Sequence, residues 1–421
     1  MCNVVVFPRS ARIFLVEKKL VFFYTICMTT LSEVARFFAE SEHFSGTVRE
    51  DEILAGHTTM HVGGKAGLFL GPADEDSLVF AIAELKRAGF PYFVLGGGSN
   101  LIVSDSGFDG AVVSTRGLKF LAEGTEDTEG ESADFADGTE GEESSLIRVH
   151  PRLKSPASCV IVGAGASWGG VMAFCRERDL GGLEGFTGLS GTVGGAVYMN
   201  ATCFGLSACD RLVSVRYLDT ASGEICEYVM DEEKRTADWG YKKSPFSIYG
   251  GLGETCGQLP GGGLFASLCG DTPSPRRVGC GEDAARLNPG ERLLPSRIIL
   301  SATFALTKGF DAKKSDDCIA QRKEKGHFLA PSAGSVFKNM VRNGAAGGVI
   351  AGKVIDECGL KGLQIGGVQV APWHGNFIVN TGGASAQDIF DLVQLIKKIV
   401  EEKKKILLEC EIIFLGKFYL H

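Results

Sequence analysis

PYFVLGGGSNLIVSD, residues 91–105, is the stretch of sequence that decides the fold. Its apolar first part, 91–95, predicts a strand that runs directly into the glycine-rich turn 96–100, and 101–105 continues as strand. Such a turn exposes several backbone N–H groups at once, which suits a pyrophosphate. The spacing is neither GxGxxG opening a helix nor a Walker motif, so it argues against a Rossmann unit and a P-loop. A linker-like turn without a ligand is the alternative.

Two further glycine clusters follow along the chain. Residues 160–162 predict a strand that ends in GAGA at 163–166, a helix is predicted through Arg178, and GTVGGA occupies 191–196. Separate glycine-rich turns, each fed by a hydrophobic segment, predict an extended ligand that is contacted by backbone in more than one place. A dinucleotide has that shape. Close packing of the glycines without a ligand is the alternative.

The composition is that of a soluble globular protein with two or three domains: 421 residues, 44% hydrophobic and 22% charged. The formal net charge of -8 argues against a nucleic-acid-binding protein, which would normally carry a basic face. Thirteen cysteines include no CxxC pair, and none is at zinc-ligand spacing with one of the seven histidines. The sequence therefore predicts no metal site, and free, buried thiols in a reducing cytoplasm.

The first 45 residues are predicted to be an extension without function. The apolar run at 13–28 is interrupted by Glu17, Lys18 and Lys19 and is too short to span a bilayer. A signal peptide is the alternative, although no clean cleavage site follows. Met28 is the alternative start, because Thr30 is a suitable N-cap for a helix that begins at 31.

Two insertions are predicted, near 120–146 and 250–295. The first contains the tract 122–145, whose ten carboxylates and lack of any basic residue predict a surface loop that buries little apolar surface. The more specific alternative is that the acidic tract binds a metal or a partner. The second is rich in Gly, Pro and Ser and predicts a long loop, in which the widely spaced Cys256, Cys269 and Cys280 are expected to be free thiols.

A chemically rich loop, PSAGSVFKNM, occupies 331–340. It offers the hydroxyl of Ser335, the cation of Lys338 and the amide of Asn339, with Gly334 free to adopt unusual backbone angles. This set is suited to an anionic or carbonyl-bearing substrate, with Ser335 as the candidate proton donor. A plain turn serine is the alternative.

Seven motifs in order resemble the UDP-N-acetylenolpyruvoylglucosamine reductases, the MurB-type flavoenzymes of bacterial peptidoglycan synthesis: TTMHVGGKA (58–66), LGGGSNLIVSD (95–105), GLSGTVGGAVYMNATCFG (188–205), YKKSPF (241–246), PSAGSVFKN (331–339), AGKVIDECGLKGLQIGG (351–367) and WHGNFIVN (373–380). The resemblance implies an α+β fold. Residues 46–310 would form a vanillyl-alcohol-oxidase/PCMH-type FAD-binding domain of two subdomains, and 311–417 a C-terminal α+β substrate-binding domain.

The same resemblance implies an NADPH-dependent FAD enzyme that reduces UDP-N-acetylglucosamine enolpyruvate to UDP-N-acetylmuramate, with hydride from flavin N5 and a proton from Ser335. Glu411 matches the family's catalytic glutamate, although Glu409 is expected to share its strand face by alternation. Lys242 falls where the family commonly has arginine, and Lys243 is the alternative; an ammonium lacks the bidentate fork of arginine. The usual proline before GTVGGA is also absent.

The resemblance also assigns binding residues. Those for the substrate are Tyr241, Lys338 and Asn339. Those for FAD are Gly96, Gly97, Gly98, Ser99, Asn100, Leu101, Gly165, Ala166, Gly191, Thr192, Val193, Gly194 and Gly195.

Outside the motifs, local patterns predict the C-terminal elements. Helices are expected at 316–325 and 351–357, and a longer one after a capping box that begins at Ser385. Its buried stripe would comprise Ile389, Leu392, Val393 and Ile396. His374 is expected to order a turn or touch substrate.

Two other functions remain open on the sequence: a different FAD-dependent oxidase or dehydrogenase of the same fold, and a catalytically silent flavin- or nucleotide-binding protein. In each case we expect a cytoplasmic monomer with a small-molecule partner, no nucleic acid and no membrane insertion.

Overall fold

The computed structural model describes residues 11–16, 19–24, 30–124, 158–247, 296–339 and 348–420. Strands β1 (Ala11–Val16) and β2 (Lys19–Tyr24) pair antiparallel. Met28, the acidic tract beyond Gly124 and the segment 250–295 lie outside the described residues.

The first subdomain is built on a mixed four-stranded sheet. Its elements are α1 (Leu31–Glu40), β3 (Gly46–Ile53), β4 (Lys65–Pro72), α2 (Glu75–Ala88), β5 (Tyr92–Leu95), β6 (Leu101–Val103) and β7 (Phe108–Ser114). The sheet order is β3-β4-β7-β5, and the β4-β7 and β5-β7 pairs are parallel. As predicted, Thr30 caps α1. The apolar spacing of 77–88 predicts a helix that stops at Gly89, and α2 does end there, with a φ of 73° that suits glycine.

The second subdomain carries a five-stranded antiparallel sheet of order β14-β13-β15-β9-β8. Its elements are β8 (Leu121–Gly124), β9 (Cys159–Gly163), α3 (Trp168–Glu177), β10 (Leu180–Gly181), α4 (Val193–Tyr198), β11 (Thr202–Cys203), β12 (Leu206–Ser207), α5 (Ala208–Arg211), β13 (Leu212–Asp219), β14 (Ile225–Val229), α6 (Glu232–Ala237), β15 (Arg297–Ala305) and β16 (Thr307–Lys308). Residues 122–124 were predicted to begin the acidic loop, but they form an edge strand because they pair with β9.

The C-terminal part has a separate antiparallel sheet of order β17-β20-β19-β18. Its elements are α7 (Ala312–Glu324), β17 (Ser332–Ser335), α8 (Ala351–Glu357), β18 (Gln364–Ile365), β19 (Val368–Val370), β20 (Phe377–Asn380), α9 (Ala386–Lys404) and β21 (Ile413–Leu415). Helix α7 begins four residues earlier than predicted because Asp311, whose carboxylate accepts from Lys314 N–H, is its N-cap.

Helix α9 holds the C-terminal core together. The capping box at Ser385 and the stripe of Ile389, Leu392, Val393 and Ile396 are as predicted, and none of those four apolar side chains is more than 1% exposed. Burying a side chain of this kind stabilises a fold by about 1.5–3 kcal/mol relative to leaving it exposed. The first and second subdomains share a different core, which includes Trp168 and Phe186.

Several contacts tie the C-terminal part back to the first subdomain, and two of them involve β6 and the residues just after it. Strand β21 pairs in parallel with β6, so the chain end extends the segment that follows the GGGSN turn. Asp105, just after β6, accepts hydrogen bonds from the first two N–H groups of α9, at Ala386 and Gln387. These contacts fix the C-terminal part beside the turn that was predicted to hold a ligand.

Two sequence predictions of strands are corrected. The apolar pattern of 57–72 predicts a strand interrupted at Gly63-Gly64, but β4 begins only at Lys65. The stretch 408–416 is expected to be the final strand, but β21 is confined to Ile413–Leu415, because the residues before it bond instead to the loop around Val336.

Within the described ranges, every helix is too short or too polar to cross a membrane. The same part of the chain contains no cluster of His, Cys, Asp and Glu side chains arranged to hold a metal ion. None of the eight described cysteines is in a disulfide bond, and five of them are buried.

Candidate active site

A cavity of about 380 Å³ lies where the three parts of the chain meet. It brings together many of the residues predicted to carry function. Those that line it are Gly96, Gly97, Gly98, Ser99, Asn100, Leu101, Thr192, Gly194, Gly195, Lys242, Ser335 and Glu411.

The turn at 96–98 requires glycine for packing. A Cβ on Gly97 would lie 2.4 Å from Gly191 Cα, and one on Gly98 would lie 2.0 Å from the His57 carbonyl oxygen. Gly98 also has a φ of 66°, a conformation that favours glycine. The two glycine clusters therefore pack directly on each other, as the ligand-free alternative anticipated.

The same turn also presents free donors. Within the described residues, the N–H groups of Gly97, Gly98 and Ser99 have no protein acceptor. The Gly97 carbonyl accepts from Arg116 Nη2 at 2.8 Å, and the Gly98 carbonyl accepts from Thr59 N–H at 3.2 Å. Because a trans peptide places N–H opposite C=O, the donors of Gly98 and Ser99 point away from those partners. The turn is a cradle of backbone donors suited to an anion.

Four residues predicted to bind cofactor do not line the cavity: Gly165, Ala166, Gly191 and Val193. They join the glycine clusters to one another. Val193 N–H donates to the Ala166 carbonyl at 2.9 Å, and a Cβ on Gly165 would lie 2.1 Å from the Thr115 carbonyl oxygen. Close backbone packing therefore accounts for the glycine at 165.

Lys242 and Glu411 form a buried ion pair in the cavity. Lys242 Nζ lies 2.5 Å from Glu411 Oε1, and the side chains are 12% and 10% exposed. Lys242 has a φ of 55°, so a left-handed turn carries its side chain inward. Lys243, the alternative, is exposed and pairs through its backbone with Gly240.

Glu411 is held from two sides by backbone hydrogen bonds. Its N–H donates to the Val336 carbonyl at 2.7 Å, and its carbonyl accepts from Asn100 Nδ2 at 2.8 Å. Burial raises the pKa of the Glu411 carboxyl, and the ion pair with Lys242 opposes that rise. The carboxyl is thus fixed in place and shifted toward its protonated form.

The expectation that Glu409 and Glu411 share a strand face was wrong. These residues precede β21, and the Glu409 side chain is 67% exposed and forms an ion pair with Lys338 on the surface. Glu409 and Glu411 therefore occupy different environments. Lys338, predicted to bind substrate, does not line the cavity.

Ser335 ends strand β17 and faces the cavity. It is half-buried, its backbone pairs with Phe377, and its hydroxyl has no hydrogen-bond partner among the described residues. The preceding Gly334 has a φ of 72°. A Cβ there would meet nothing within 4 Å, so backbone conformation, not crowding, requires glycine.

Tyr241 and Asn339 meet outside the cavity lining. The Tyr241 hydroxyl accepts from Asn339 N–H at 3.2 Å, and Asn339 Oδ1 accepts from Ala351 N–H at 3.0 Å. Both side chains are exposed. The contact links the loop that carries Lys242 to the loop that carries Ser335.

Three further groups line the cavity without any sequence motif that marks them: Arg297, Arg322 and His327. Arg322 lies on a helix with many charged residues, where nothing local marks one arginine as buried. Burial and the neighbouring cations lower the pKa of His327 to about 4, so it is uncharged at neutral pH.

His374 orders a turn, in agreement with the first of its two expected roles. Its Nδ1 accepts from Asn376 N–H at 3.2 Å, and burial lowers its pKa. Asn376 in turn clasps the loop after Ser335: its Oδ1 accepts from Phe337 N–H and its Nδ2 donates to the Phe337 carbonyl.

Comparisons with known proteins identify relatives of this chain. The family model described as UDP-N-acetylenolpyruvoylglucosamine reductase, C-terminal domain, matches residues 325–415. A UDP-N-acetylenolpyruvoylglucosamine reductase of Treponema denticola is 35% identical over 376 residues, which is 88% of this chain and 94% of the relative. The reductase of Treponema pallidum is 32% identical over 396 residues, covering 87% and 93%.

A solved structure extends the likeness to the fold. The crystal structure of UDP-N-acetylenolpyruvylglucosamine reductase (MurB) from Thermus caldophilus is 26% identical, with a TM-score of 0.54 over 88% of this chain and 100% of that one. The match confirms the α+β fold class expected from the sequence. On this evidence, the chain belongs to the UDP-N-acetylenolpyruvoylglucosamine reductase family.

Proposed function

We propose that this protein is an NADPH- and FAD-dependent reductase that converts UDP-N-acetylglucosamine enolpyruvate to UDP-N-acetylmuramate for peptidoglycan synthesis. The observation that carries the proposal is the shared cavity: the backbone cradle at 97–99 and the groups Lys242, Ser335 and Glu411 all line it. A cofactor on the cradle and a substrate near these side chains would thus be in contact.

The residues present fit FAD. The cradle supplies free backbone donors for a diphosphate, and a side chain at Gly97 or Gly98 would collide with backbone there. The cavity wall also includes apolar side chains, among them Phe93 and Leu95. When bound and reduced, the flavin supplies the hydride.

Ser335 is the proposed proton donor. Hydride addition to the methylene carbon moves the alkene electrons toward the carboxylate and leaves the neighbouring carbon strongly basic. The Ser335 hydroxyl, which lacks a protein partner in the described residues, transfers its proton to that carbon and forms the new C–H bond. Solvent or a neighbouring acid then returns a proton to the Ser335 oxygen.

Lys242 is proposed to stabilise negative charge, and Glu411 is proposed to relay a proton. The Lys242 ammonium is a buried cation that stabilises negative charge as it develops on the carboxylate. Glu411, whose pKa burial raises, retains a proton more readily than an exposed glutamate and serves as the relay to Ser335 or to the enol-like oxygen.

The mouth of the cavity is the proposed position of the sugar nucleotide. Tyr241 and Asn339 are exposed where the two catalytic loops meet. Lys338 pairs with the exposed carboxylate of Glu409, so exchanging Glu409 for a substrate phosphate costs little.

An anaerobic titration tests the proposal. The protein is purified, its flavin absorbance recorded, NADPH or NADH added, and then the enolpyruvyl substrate. Bleaching by NADPH followed by recovery with substrate is expected. Bleaching without recovery would indicate an oxidase or dehydrogenase with another acceptor, and a protein that binds no flavin would refute the proposed function.

A further inference from the structure

Arg322 is a buried cation that the mechanism above does not use. It lies near the C-terminal end of α7, is 7% exposed, and lines the same cavity. Its Nε donates to the Thr187 carbonyl at 2.9 Å. Among the described residues, no carboxylate lies within ion-pair distance of its guanidinium, and no acceptor is bonded to either Nη.

The guanidinium is held in place by its surroundings. Its Cζ lies 5.1 Å from the centroid of the Phe204 ring, which faces it as a cation–π partner. Gly188, with a φ of 75°, packs against the side-chain stem: a Cβ there would lie 2.9 Å from Arg322 Cδ. Because Nε is occupied by Thr187, the donors that remain for the cavity are those of the two Nη atoms.

A buried charge of this kind requires a partner. Taking a cation out of water is costly unless an anion or several acceptors replace the hydration. The adjacent His327 supplies no negative charge, since it is neutral at neutral pH. Thr187 supplies one neutral carbonyl. The missing partner therefore arrives with a ligand.

We infer that Arg322 binds an oxyanion of a nucleotide diphosphate held in this cavity. The inference deepens the proposed function, on which it rests for the ligand class. Guanidinium groups match the oxygens of phosphates through paired N–H donors. Both proposed ligands carry a diphosphate: FAD and the UDP-sugar. The inference concerns the diphosphate that both ligands share, and binding measurements distinguish FAD from the UDP-sugar.

The experiment compares Arg322→Gln and Arg322→Lys with Arg176→Gln. Arg176 is the matched control because it also contacts α7, through an exposed ion pair with Asp316, and does not line the cavity. FAD release is followed by flavin fluorescence on dilution of each holoprotein. UDP binding to each holoprotein is followed by calorimetry, with the melting temperature as a check on folding.

We expect Arg322→Gln to weaken one nucleotide at least tenfold, with partial recovery in Arg322→Lys and no change in Arg176→Gln. Weaker FAD binding identifies the cofactor diphosphate, and weaker UDP binding identifies that of the substrate. Binding of both within twofold of wild type would overturn the inference. So would equal weakening in Arg176→Gln, because that would indicate a general effect on α7.

Two outcomes separate this inference from the proposed function. If neither Arg322 variant folds, flavin-stripped wild-type protein is heated with inorganic pyrophosphate, and no rise in melting temperature overturns the inference. If wild-type protein binds FAD and UDP but never reduces the enolpyruvyl substrate, the proposed function fails while the comparison of Arg322 variants still stands.

Discussion

The ammonium of Lys242 lies 2.5 Å from the carboxylate of Glu411, and both side chains are about nine-tenths buried. The pair joins the loop after α6 to the segment before β21, so it forms only when the second subdomain and the C-terminal part meet. Because both side chains are largely buried, each charge strongly influences the other.

Removing the cation should change the pH dependence of the reaction. In Lys242→Met, Glu411 loses the charge that opposes its desolvation, so its pKa, already raised by burial, rises further. We expect the substrate half-reaction to slow by about 100-fold. In its pH–rate profile, the limb that reports ionisation of Glu411 should move to higher pH. Stopped-flow flavin reoxidation across pH measures both.

Lys243→Met is the matched control for this prediction, because Lys243 is exposed beside Lys242. It should reoxidise within twofold of wild type. Lys242→Arg retains the positive charge and should keep the pH limb near its original position. A Lys242→Met enzyme with an unshifted limb would show that the ion pair does not govern Glu411.

Ser335→Ala should separate the two half-reactions. Flavin reduction by NADPH does not use the hydroxyl and should be unchanged, whereas reoxidation by the sugar nucleotide should slow by at least about 100-fold. Ser332→Ala is the control, since Ser332 lies on the same strand but does not line the cavity. Normal reoxidation in Ser335→Ala would remove Ser335 from the proton-donor role.

His327 should make the fold sensitive to acid. Its pKa falls from 6.5 to about 4, chiefly by burial, so the unfolded chain binds a proton that the folded chain refuses between those values. Stability attributable to this group is therefore complete above pH 6.5 and is lost as the pH falls toward 4. Between pH 6.5 and 4, the melting temperature of wild type should fall more steeply with decreasing pH than that of His327→Gln. Parallel plots of melting temperature against pH would contradict the lowered pKa of His327.

Local signals explain why much of the fold was predictable. Helix α9 is marked by its capping box at Ser385 and its apolar period, and α2 ends at a glycine with positive φ, Gly89. Each signal is complete within a few residues of sequence. The glycine clusters were also identifiable, although the sequence does not distinguish Gly98, which lines the cavity, from Gly165, which packs beneath it.

Long-range contacts explain what was missed. Glu411 and Glu409 are two residues apart, and only their partners, Lys242 and Lys338, place one in the cavity and the other on the surface. Arg322 has the sequence context of a solvated helix, and its burial depends on the loop at Thr187. Such partners become visible only when distant segments are folded together.

Asp105 should contribute measurably to stability by capping α9 from another part of the chain. Its carboxylate accepts from Ala386 and Gln387 N–H at 2.8 and 3.0 Å. Its negative charge also interacts favourably with the positive, N-terminal end of the helix dipole. Asp105→Ala should lower the free energy of unfolding by about 1–2 kcal/mol in urea titrations. Asp109→Ala, at an exposed site, should stay within about 0.5 kcal/mol. Equal losses of stability in the two variants would show that Asp105 does not stabilise α9 as a cap.

Asn100 should act on Glu411 more than on the cofactor. Its Nδ2 donates to the Glu411 carbonyl at 2.8 Å, and its own carbonyl accepts from Ile413 N–H at 2.9 Å, so it fixes the backbone of Glu411 relative to the GGGSN turn. In Asn100→Ala, the backbone bond persists and the amide donor is lost. We expect FAD affinity within about threefold of wild type and reoxidation by substrate slowed about tenfold, as for a modest misplacement of a catalytic group. Flavin fluorescence and stopped-flow absorbance measure the two quantities on one preparation. A large loss of FAD with normal reoxidation in the remaining holoprotein would instead make Asn100 a cofactor ligand.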